Sequence, residues 1–429
     1  MEGLRRLKTI VSARALVFLL SALVLSSCAQ TSESETPTVL KPSAIPIAWR
    51  AVHAETGQEI GERSSSSMLP ASTTKLVTAL AVLDTVPPDL IFTTRVCRNG
   101  DAVALIGGGD PAFDVEDLLG LALTAKDAMA GATALTYAPA EVSGPIQPKQ
   151  PGDAAYNPRL ADLMVAEGAY RGHGSEDGHG WTVPPGASVP SETGTDWYAH
   201  PDPPRQAADL FRAYAAGMGV DLPAPEPGEA RCDAEIARHE SAPVFDLVRE
   251  MLWTSSNPMA ELLGRMALQA EAPGAWLASR HPDIDGFALT NFSGLDAEAR
   301  LTPRAMARLL AANADLAVAG VPFPAMLTPA GWDGGLKRRM LEPPLALNVW
   351  AKTGTMHYGA GLAGYMLVPG KGMFAIAVYA FDEEARAAYD AVVRNPPEEV
   401  EVAARNWRML ARAEIDRTVL KIYRALSAE

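Results

Sequence analysis

The chain has 429 residues, of which 48% are hydrophobic and 21% charged, so we expect neither wholesale disorder nor a multi-span membrane protein. Its length allows two or three domains around a large buried core. With 51 acidic against 37 basic residues and a net charge of −14, the chain repels phosphate backbones, and we expect no nucleic-acid partner.

The N-terminus has the pattern of an export signal. Basic residues precede an apolar run from Ala15 to Leu25, which is too short to span a bilayer of about 20 helical residues but fits a secretory signal. The run ends in LSSC, which resembles a bacterial lipoprotein cleavage box. We therefore predict a signal peptide over 1–27, a lipidated Cys28 and a membrane-tethered protein on the periplasmic side of the cell envelope. The alternatives are an uncleaved anchor and a cysteine that follows an ordinary signal.

The next segment, 28–43, is rich in Ser, Thr, Glu and Pro, which predicts a flexible tether. Two further cysteines remain, Cys97 and Cys232. In an oxidising compartment they could form a disulfide, but their spacing is equally compatible with two separately buried thiols.

Beyond the tether, the pattern becomes regular over 44–90. IPIAWRAVHAETGQEI predicts two strands joined by a turn at Glu55-Thr56-Gly57. A serine-rich loop then leads into a segment with apolar residues at helical spacing, which stops before Pro87. This segment predicts the first helix of the protein.

The composition changes over 91–238, where Pro, Gly and Asp are frequent and strand-like pieces are short. Helical patterns return over 239–429, followed by GLAGYMLV and GMFAIAVYAF around Pro369-Gly370, which predict a β-hairpin, and by a long C-terminal helix. Strands flanked by helices at both ends predict an α/β (α+β) core formed by 44–90 and 239–429. The middle is expected to be an inserted, β-rich accessory domain.

A first motif for chemistry is Ser72-Thr73-Thr74-Lys75 at the start of the predicted helix. Residues three apart share a helix face, so the hydroxyl and the amine can meet. A serine needs an adjacent base to act as a nucleophile, and a lysine that loses solvent at a helix N-terminus is easier to deprotonate. Taken alone, the motif would more often be a helix cap and a solvated lysine.

Two further motifs follow. Ser255-Ser256-Asn257 stands where another helix begins, a position that capping also favours. Lys352-Thr353-Gly354-Thr355 lies on a strand-like segment, where a cation and two hydroxyls could bind a substrate carboxylate. The glycine is expected to let the substrate backbone lie close to the strand. S-x-x-K, S-x-N and K-T-G occur together in the order known from penicillin-binding proteins and class A β-lactamases, which favours an active serine.

The resemblance extends well beyond the motifs. LPASTTKLVTALAVL, IGGGDPAF, AHPDPPRQAADLF, TSSNPMAELL, SGLDAEARLTPRAM, GGLKRRM and KTGTMHYGAGLAGYM resemble the DacB-type class C low-molecular-mass penicillin-binding proteins, which are D-alanyl-D-alanine carboxypeptidases/endopeptidases. The long gap between Lys75 and Ser255 is similar to this family and unlike class A β-lactamases. Two departures are Ser256, where the family usually has aspartate, and NFSGL at 291–295, where it usually has D-G-S-G-L.

The resemblance implies a serine β-lactamase/DD-transpeptidase-like fold, an antiparallel sheet flanked by helices, and a set of site residues. Ser72 would be the nucleophile and Lys75 its base. Ser255 would relay a proton, and Asn257 would hold the substrate amide and Lys75. The carboxylate would bind Lys352, Thr353 and Thr355, beside Gly354, and the N–H groups of Ser72 and Thr355 would form the oxyanion hole.

The implied substrates are peptidoglycan stem peptides ending in D-Ala-D-Ala, with β-lactams as inhibitors and no metal or organic cofactor. Two other functions stay open at this point. A β-lactamase or esterase on the same scaffold would need a dedicated deacylating base, and the sequence shows no acidic motif at the place expected for one. A non-catalytic cell-wall scaffold lipoprotein would have no reason to keep the three motifs.

Overall fold

The computed structural model describes residues 45–138, 143–173, 195–269, 271–393 and 396–428. Its α-helices are α1 (Thr74–Thr85), α2 (Val115–Ala125), α3 (Pro203–Gly217), α4 (Val244–Thr254), α5 (Asn257–Leu268), α6 (Pro273–Arg280), α7 (Pro303–Ala312), α8 (Glu383–Asp390) and α9 (Glu398–Ala428). The early strands are β1 (Ile47–His53), β2 (Glu59–Glu62), β3 (Thr93–Asn99), β4 (Ala102–Ile106), β5 (Ala134–Tyr137), β6 (Ala169–His173), β7 (Thr195–Ala199), β8 (Pro225–Pro227) and β9 (Ala234–Glu240). The later strands are β10 (Phe287–Ala288), β11 (Arg300–Leu301), β12 (Ala317–Val318), β13 (Val321–Pro322), β14 (Thr328–Pro329), β15 (Val349–Met356), β16 (Gly359–Val368) and β17 (Gly372–Phe381).

Strands from both ends of the chain form the central antiparallel sheet, in the order β14-β15-β16-β17-β1-β2. β16 pairs with β17 across the turn at Pro369-Gly370, which confirms the predicted hairpin. β1 pairs with β2 and with β17, so the first strand inserts beside the last one. The predicted strand–turn–strand at the start of the core is therefore confirmed as well.

Both faces of this sheet are covered, because alternate side chains of the long strands enter two different cores. One face packs against α1, α4, α5, α6 and α7, and the other packs against α9. Members facing the first core are Ala363, Tyr365, Ala377 and Tyr379, and members facing the second are Leu362, Met366, Ile376 and Val378. The near-continuous apolar runs of β16 and β17 are explained by this double burial.

The inserted segment, called here the insert lobe (residues 91–240), has its own sheet in the order β8-β5-β4-β3-β9. β3 is antiparallel to β4 and β9, whereas β5 is parallel to β4 and β8. The sheet is covered by α2 and α3, which bury Leu118, Leu121 and Phe211. Because β9 ends at Glu240, this sheet extends slightly beyond the predicted boundary at 238.

A disulfide joins Cys97 on β3 to Cys232, just before β9. Within the described ranges, no helix is both long and apolar enough to cross a membrane. The predicted signal peptide at 1–27, Cys28 and the predicted tether to residue 43 lie outside the described residues.

Candidate active site

The first motif lies where a short 3₁₀ turn, Ala71–Thr73, leads into α1 at Thr74. The helical spacing places Lys75 Nζ 3.0 Å from Ser72 Oγ. Ser72 is half-buried, whereas Lys75 has no exposed surface. A ligand can therefore reach the hydroxyl, while the amine beside it is kept from bulk water.

Three oxygen atoms surround Lys75 Nζ. Besides Ser72 Oγ they are Asn257 Oδ1 at 2.6 Å and the carbonyl oxygen of Ser293 at 2.7 Å. Asn257 Nδ2 donates to the carbonyl oxygen of Tyr156 at 2.8 Å, and this bond assigns the amide orientation that turns Oδ1 toward the lysine. Residues from the first and second motifs thus meet at one nitrogen.

The surroundings of Lys75 shift its pKa. Burial, and then the charge of Lys352, lower the pKa of Lys75 well below that of a free lysine, although Glu261 and Glu167 oppose this shift. A neutral amine has two N–H donors and one lone pair. In that form the two carbonyl-type oxygens beside it, which can only accept, would take both N–H groups, and the lone pair would face the Ser72 hydroxyl.

The second motif meets the third through Ser255 and Lys352. Ser255 ends α4 with a left-handed φ of 64°, a conformation that costs a non-glycine residue roughly 1–2 kcal/mol. Its Oγ lies 2.8 Å from Lys352 Nζ, which also donates to the carbonyl oxygen of Thr353 at 2.8 Å. Burial lowers the pKa of Lys352 to about 7.

Gly354 allows a close approach within the protein itself. A Cβ at this position would lie 2.5 Å from the carbonyl oxygen of Pro70 and 3.2 Å from the backbone nitrogen of Ser72. The sequence assigned this space to the substrate backbone, but the structure fills it with the turn that carries Ser72. The glycine therefore fixes how closely β15 and Ser72 approach each other.

Glu261 on α5 is a residue that the sequence analysis missed. Its carboxylate is 2% exposed and accepts the backbone N–H groups of Phe292 at 3.1 Å and Ser293 at 2.9 Å. Burial raises the pKa of Glu261, against the effect of these hydrogen bonds. The sequence left the role of segment 291–295 open. These hydrogen bonds hold the segment so that the carbonyl oxygen of Ser293 reaches Lys75. An acidic residue one helical turn after the second motif was the available signal.

The insert lobe also contributes to the site, although no active-site residue was expected in it. The Tyr156 carbonyl group orients Asn257. Glu167 lies beside the second motif: burial raises its pKa, against a hydrogen bond from Ser256 and the charge of Lys75. Ser256 also caps the N-terminus of α5. A serine at this position avoids the repulsion that an aspartate would meet beside Glu167.

The remaining predicted residues are placed as follows. Thr355 Oγ1 accepts a hydrogen bond from Arg412 Nη2 at 3.1 Å, a contact for which the charged sequence of α9 gave no signal. The Cys97–Cys232 disulfide belongs to the insert lobe, and Cys28 lies outside the described residues. In the part of the chain that the structure describes, no group of three or more His, Cys, Asp or Glu side chains is arranged to hold a metal ion.

Comparison with known sequences places these residues in context. The model of the D-Ala-D-Ala carboxypeptidase 3 (S13) family matches residues 39–169 and 189–395. Carboxypeptidase Rv3627c of Mycobacterium tuberculosis is 28% identical over 326 residues, which cover 69% of this chain and 67% of that protein. Carboxypeptidase DacB of Mycolicibacterium smegmatis is 29% identical over 352 residues, which cover 74% of this chain and 72% of that protein.

Solved structures show the same fold at lower identity. Penicillin-binding protein 4 (dacB) of Haemophilus influenzae has a TM-score of 0.62 at 18% identity, covering 82% of this chain and 96% of that one. The predatory endopeptidase Bd3459 of Bdellovibrio bacteriovorus, solved with the immunity protein Bd3460, has a TM-score of 0.54 at 16% identity, covering 87% and 94%. The antiparallel sheet flanked by helices is therefore a shared architecture.

Proposed function

The chain belongs to the D-Ala-D-Ala carboxypeptidase 3 (S13) family, and we propose that its three motifs carry the reaction through an acyl-serine intermediate. The protein is a serine-type D-alanyl-D-alanine carboxypeptidase of the DacB type. One observation carries the assignment of roles. Lys75 Nζ lies 3.0 Å from Ser72 Oγ in a position without exposed surface.

Acylation begins when Ser72 Oγ attacks the carbonyl carbon of the penultimate D-alanine and its proton passes to the neutral amine of Lys75. The N–H groups of Ser72 and Thr355 stabilise the oxyanion, and one such donor is worth about 10² to 10³ in rate. The C–N bond then breaks. Ser255 passes a proton to the leaving amine, and Lys75 restores it.

The other groups hold the substrate. Asn257 binds the substrate amide while it orients Lys75, and Lys352, Thr353 and Thr355 bind the terminal carboxylate. After D-alanine leaves, water attacks the ester with Lys75 again as base. This step releases the shortened peptide and restores the Ser72 hydroxyl.

β-Lactams are proposed to acylate the same serine, because their amide resembles the acyl-D-Ala-D-Ala end. Two structural neighbours that were solved with β-lactams support this proposal. Penicillin-binding protein 4 of H. influenzae was solved with a β-lactam, and Bd3459 was solved acylated by penicillin G.

The same site is proposed to cleave D,D-cross-links in peptidoglycan, because the bond after the acylating D-alanine is chemically equivalent there. A cross-linked muropeptide dimer, analysed by liquid chromatography and mass spectrometry, tests this activity. Conversion to monomers supports it, and an unchanged dimer beside active D-alanine release argues for a strict carboxypeptidase.

The protein is further proposed to be a periplasmic lipoprotein anchored through Cys28. The basic segment, the apolar run and the LSSC box support this location, as does a substrate that lies outside the cytoplasm. Expression of Cys28→Ala with labelled palmitate tests the anchor. The wild type should carry label in the membrane fraction, and the variant should carry none.

Release of D-alanine from an N-acylated D-Ala-D-Ala peptide tests the nucleophile. Ser72→Ala should abolish release, whereas Ser67→Ala, at an exposed position in the same loop, should retain the wild-type rate. Equal activity of Ser72→Ala and wild type would remove Ser72 from the mechanism.

A further inference from the structure

The 352–356 part of β15 has an open edge. β14 pairs with β15 only at Ala351 and Trp350, so from Lys352 onward this edge has no strand partner among the described residues. An extended peptide can add to such an edge through main-chain hydrogen bonds. A substrate added in this way would run along the edge of β15, and Ser72 would face it from one side of this strand.

Thr355 faces the other side. Side chains alternate along a strand, and Val349 and Ala351 belong to the core between the sheet and α9. Thr355 shares their face, where Arg412 of α9 donates to its Oγ1 at 3.1 Å. Because the threonine oxygen accepts from the guanidinium, its own O–H remains free to donate to a ligand.

The surroundings of Arg412 carry an excess of positive charge. Arg339 and Arg408 lie close enough to lower the pKa of Arg412, in addition to the effect of burial, and Asp416 opposes them. Asp416, however, is already engaged by Arg339 through Nε at 3.1 Å and Nη2 at 2.6 Å. Glu401, which acts on Arg408, accepts from Tyr389 and pairs with His357. An anionic ligand would balance this cluster.

Lys352 alone is a poor cation for that ligand. It is 2% exposed, and its Nζ already contacts Ser255 Oγ and the Thr353 carbonyl oxygen. Its pKa of about 7 leaves it only partly protonated at neutral pH. A guanidinium, in contrast, stays charged and can bind a carboxylate through two N–H groups. Although part of Arg412 is buried, the residue as a whole is exposed to solvent, so a ligand can reach it.

We propose that Arg412, together with Thr355, binds the carboxylate of the residue that follows the scissile bond. The inference rests on the proposed function, because the carboxylate is that of the D-Ala-D-Ala substrate. Arg412 thereby makes a free carboxylate at this position a requirement for efficient turnover. It is a binding residue contributed by the last helix, far in sequence from the three motifs.

The test compares two substrates of the full-length chain in detergent, an N-acylated D-Ala-D-Ala peptide and the same peptide ending in D-alaninamide. Arg412→Gln should lower kcat/KM for the carboxylate about 10- to 100-fold, mainly through KM, as expected for loss of a charge-assisted hydrogen bond. The amide should be almost unaffected. Arg412→Lys should recover part of the loss, and Arg405→Gln, exposed on the same helix, should behave as wild type.

Two results overturn the inference. An equal loss with both substrates would mean that Arg412 acts only through the position of Thr355 or of β15, and no loss with either would remove it from binding. If Arg412→Gln does not fold, as judged by its thermal unfolding, the ratio of the two substrates in Arg412→Lys decides. Failure of the wild type to release D-alanine at all would instead contradict the proposed function.

Discussion

The two sides of the site, called here its helical wall and its strand wall, each bury one lysine, but in different surroundings. The helical wall consists of the 70–73 turn, α1 and α5, and its Lys75 contacts three oxygens with two carboxylates nearby. The strand wall is the 352–355 part of β15. Its Lys352 has two oxygen partners, and burial is the only cause that shifts its pKa.

The difference explains how the two amines can serve different tasks. On the helical wall, two oxygens that can only accept would occupy both N–H donors of a neutral Lys75 and leave its lone pair for Ser72. On the strand wall, Lys352 contributes a charge that depends on pH, next to hydroxyl groups. The fixed charge there comes from Arg412, outside the motif. We therefore expect changes to Lys75 to affect chemistry, and changes to Lys352 and Arg412 to affect binding.

After removal of the Ser72 hydroxyl itself, Lys75→Met should produce the largest effect. Loss of the general base should lower the rate of Ser72 acylation by about 10² to 10⁴. Stopped-flow acylation by a chromogenic cephalosporin measures this rate. Lys126→Met, at an exposed position of the insert lobe, serves as control. Acylation of Lys75→Met at close to the wild-type rate would contradict the role of the helical wall.

Gly354→Ala should have the next largest effect, because it pushes the two walls apart. Its Cβ would lie 2.5 Å from the Pro70 carbonyl oxygen, so the turn that carries Ser72 has to move. We expect kcat/KM to fall by about 10² to 10³, the range for a lost oxyanion donor. Gly120→Ala, which meets no atom within 4 Å, is the matched control. Wild-type kinetics for Gly354→Ala would refute the close approach.

The dependence of kcat/KM on pH should distinguish the role of Lys352 from that of Lys75. The expected change is smaller than that of either substitution above. The pKa of Lys352 is lowered to about 7, so its charge is present below this pH and is lost above it. For the substrate with a free carboxylate, kcat/KM should therefore decline above pH 7. In the wild type the decline should be only several-fold, because Arg412 stays charged and continues to bind the carboxylate. The D-alaninamide substrate should not show this decline, and Arg412→Gln should make it steeper. If kcat/KM declined equally with both substrates, the decline would reflect the chemical step and not the binding of the carboxylate.

The disulfide should matter least for activity. Cys97 and Cys232 are 135 residues apart and enclose most of the insert lobe. Removing such a link costs about 2–4 kcal/mol of stability, chiefly by freeing the unfolded chain. Cys97→Ser/Cys232→Ser should therefore unfold at lower temperature in differential scanning calorimetry, with nearly unchanged kcat/KM. A loss of activity before any loss of stability would show that the lobe positions the site through this bond.

Local patterns in the sequence predicted much of the core. The spacing of Ser72 and Lys75 was readable because three residues on a helix bring two side chains together, whatever the rest of the fold. The hairpin of β16 and β17 was readable because alternation and Pro369-Gly370 are local signals as well. The left-handed conformation of Ser255 has no such signal, since tertiary contacts stabilise it.

Contacts between distant parts of the chain could not be predicted from the sequence. Glu261 could have been suspected from its place one helical turn after Asn257, but its partners at Phe292 and Ser293 depend on the fold. Arg412 stands among many charged residues of a long helix. Only the packing of α9 under the sheet distinguishes it from them.

The most direct measurement of the central claim is the intact mass of the protein after incubation with benzylpenicillin, followed by peptide mapping. The account predicts one penicillin per chain, attached to the peptide that contains Ser72, and no adduct in Ser72→Ala. An adduct on another residue, or one that persists in Ser72→Ala, would contradict the assignment of the nucleophile. Destruction of the drug without any adduct would indicate a β-lactamase instead.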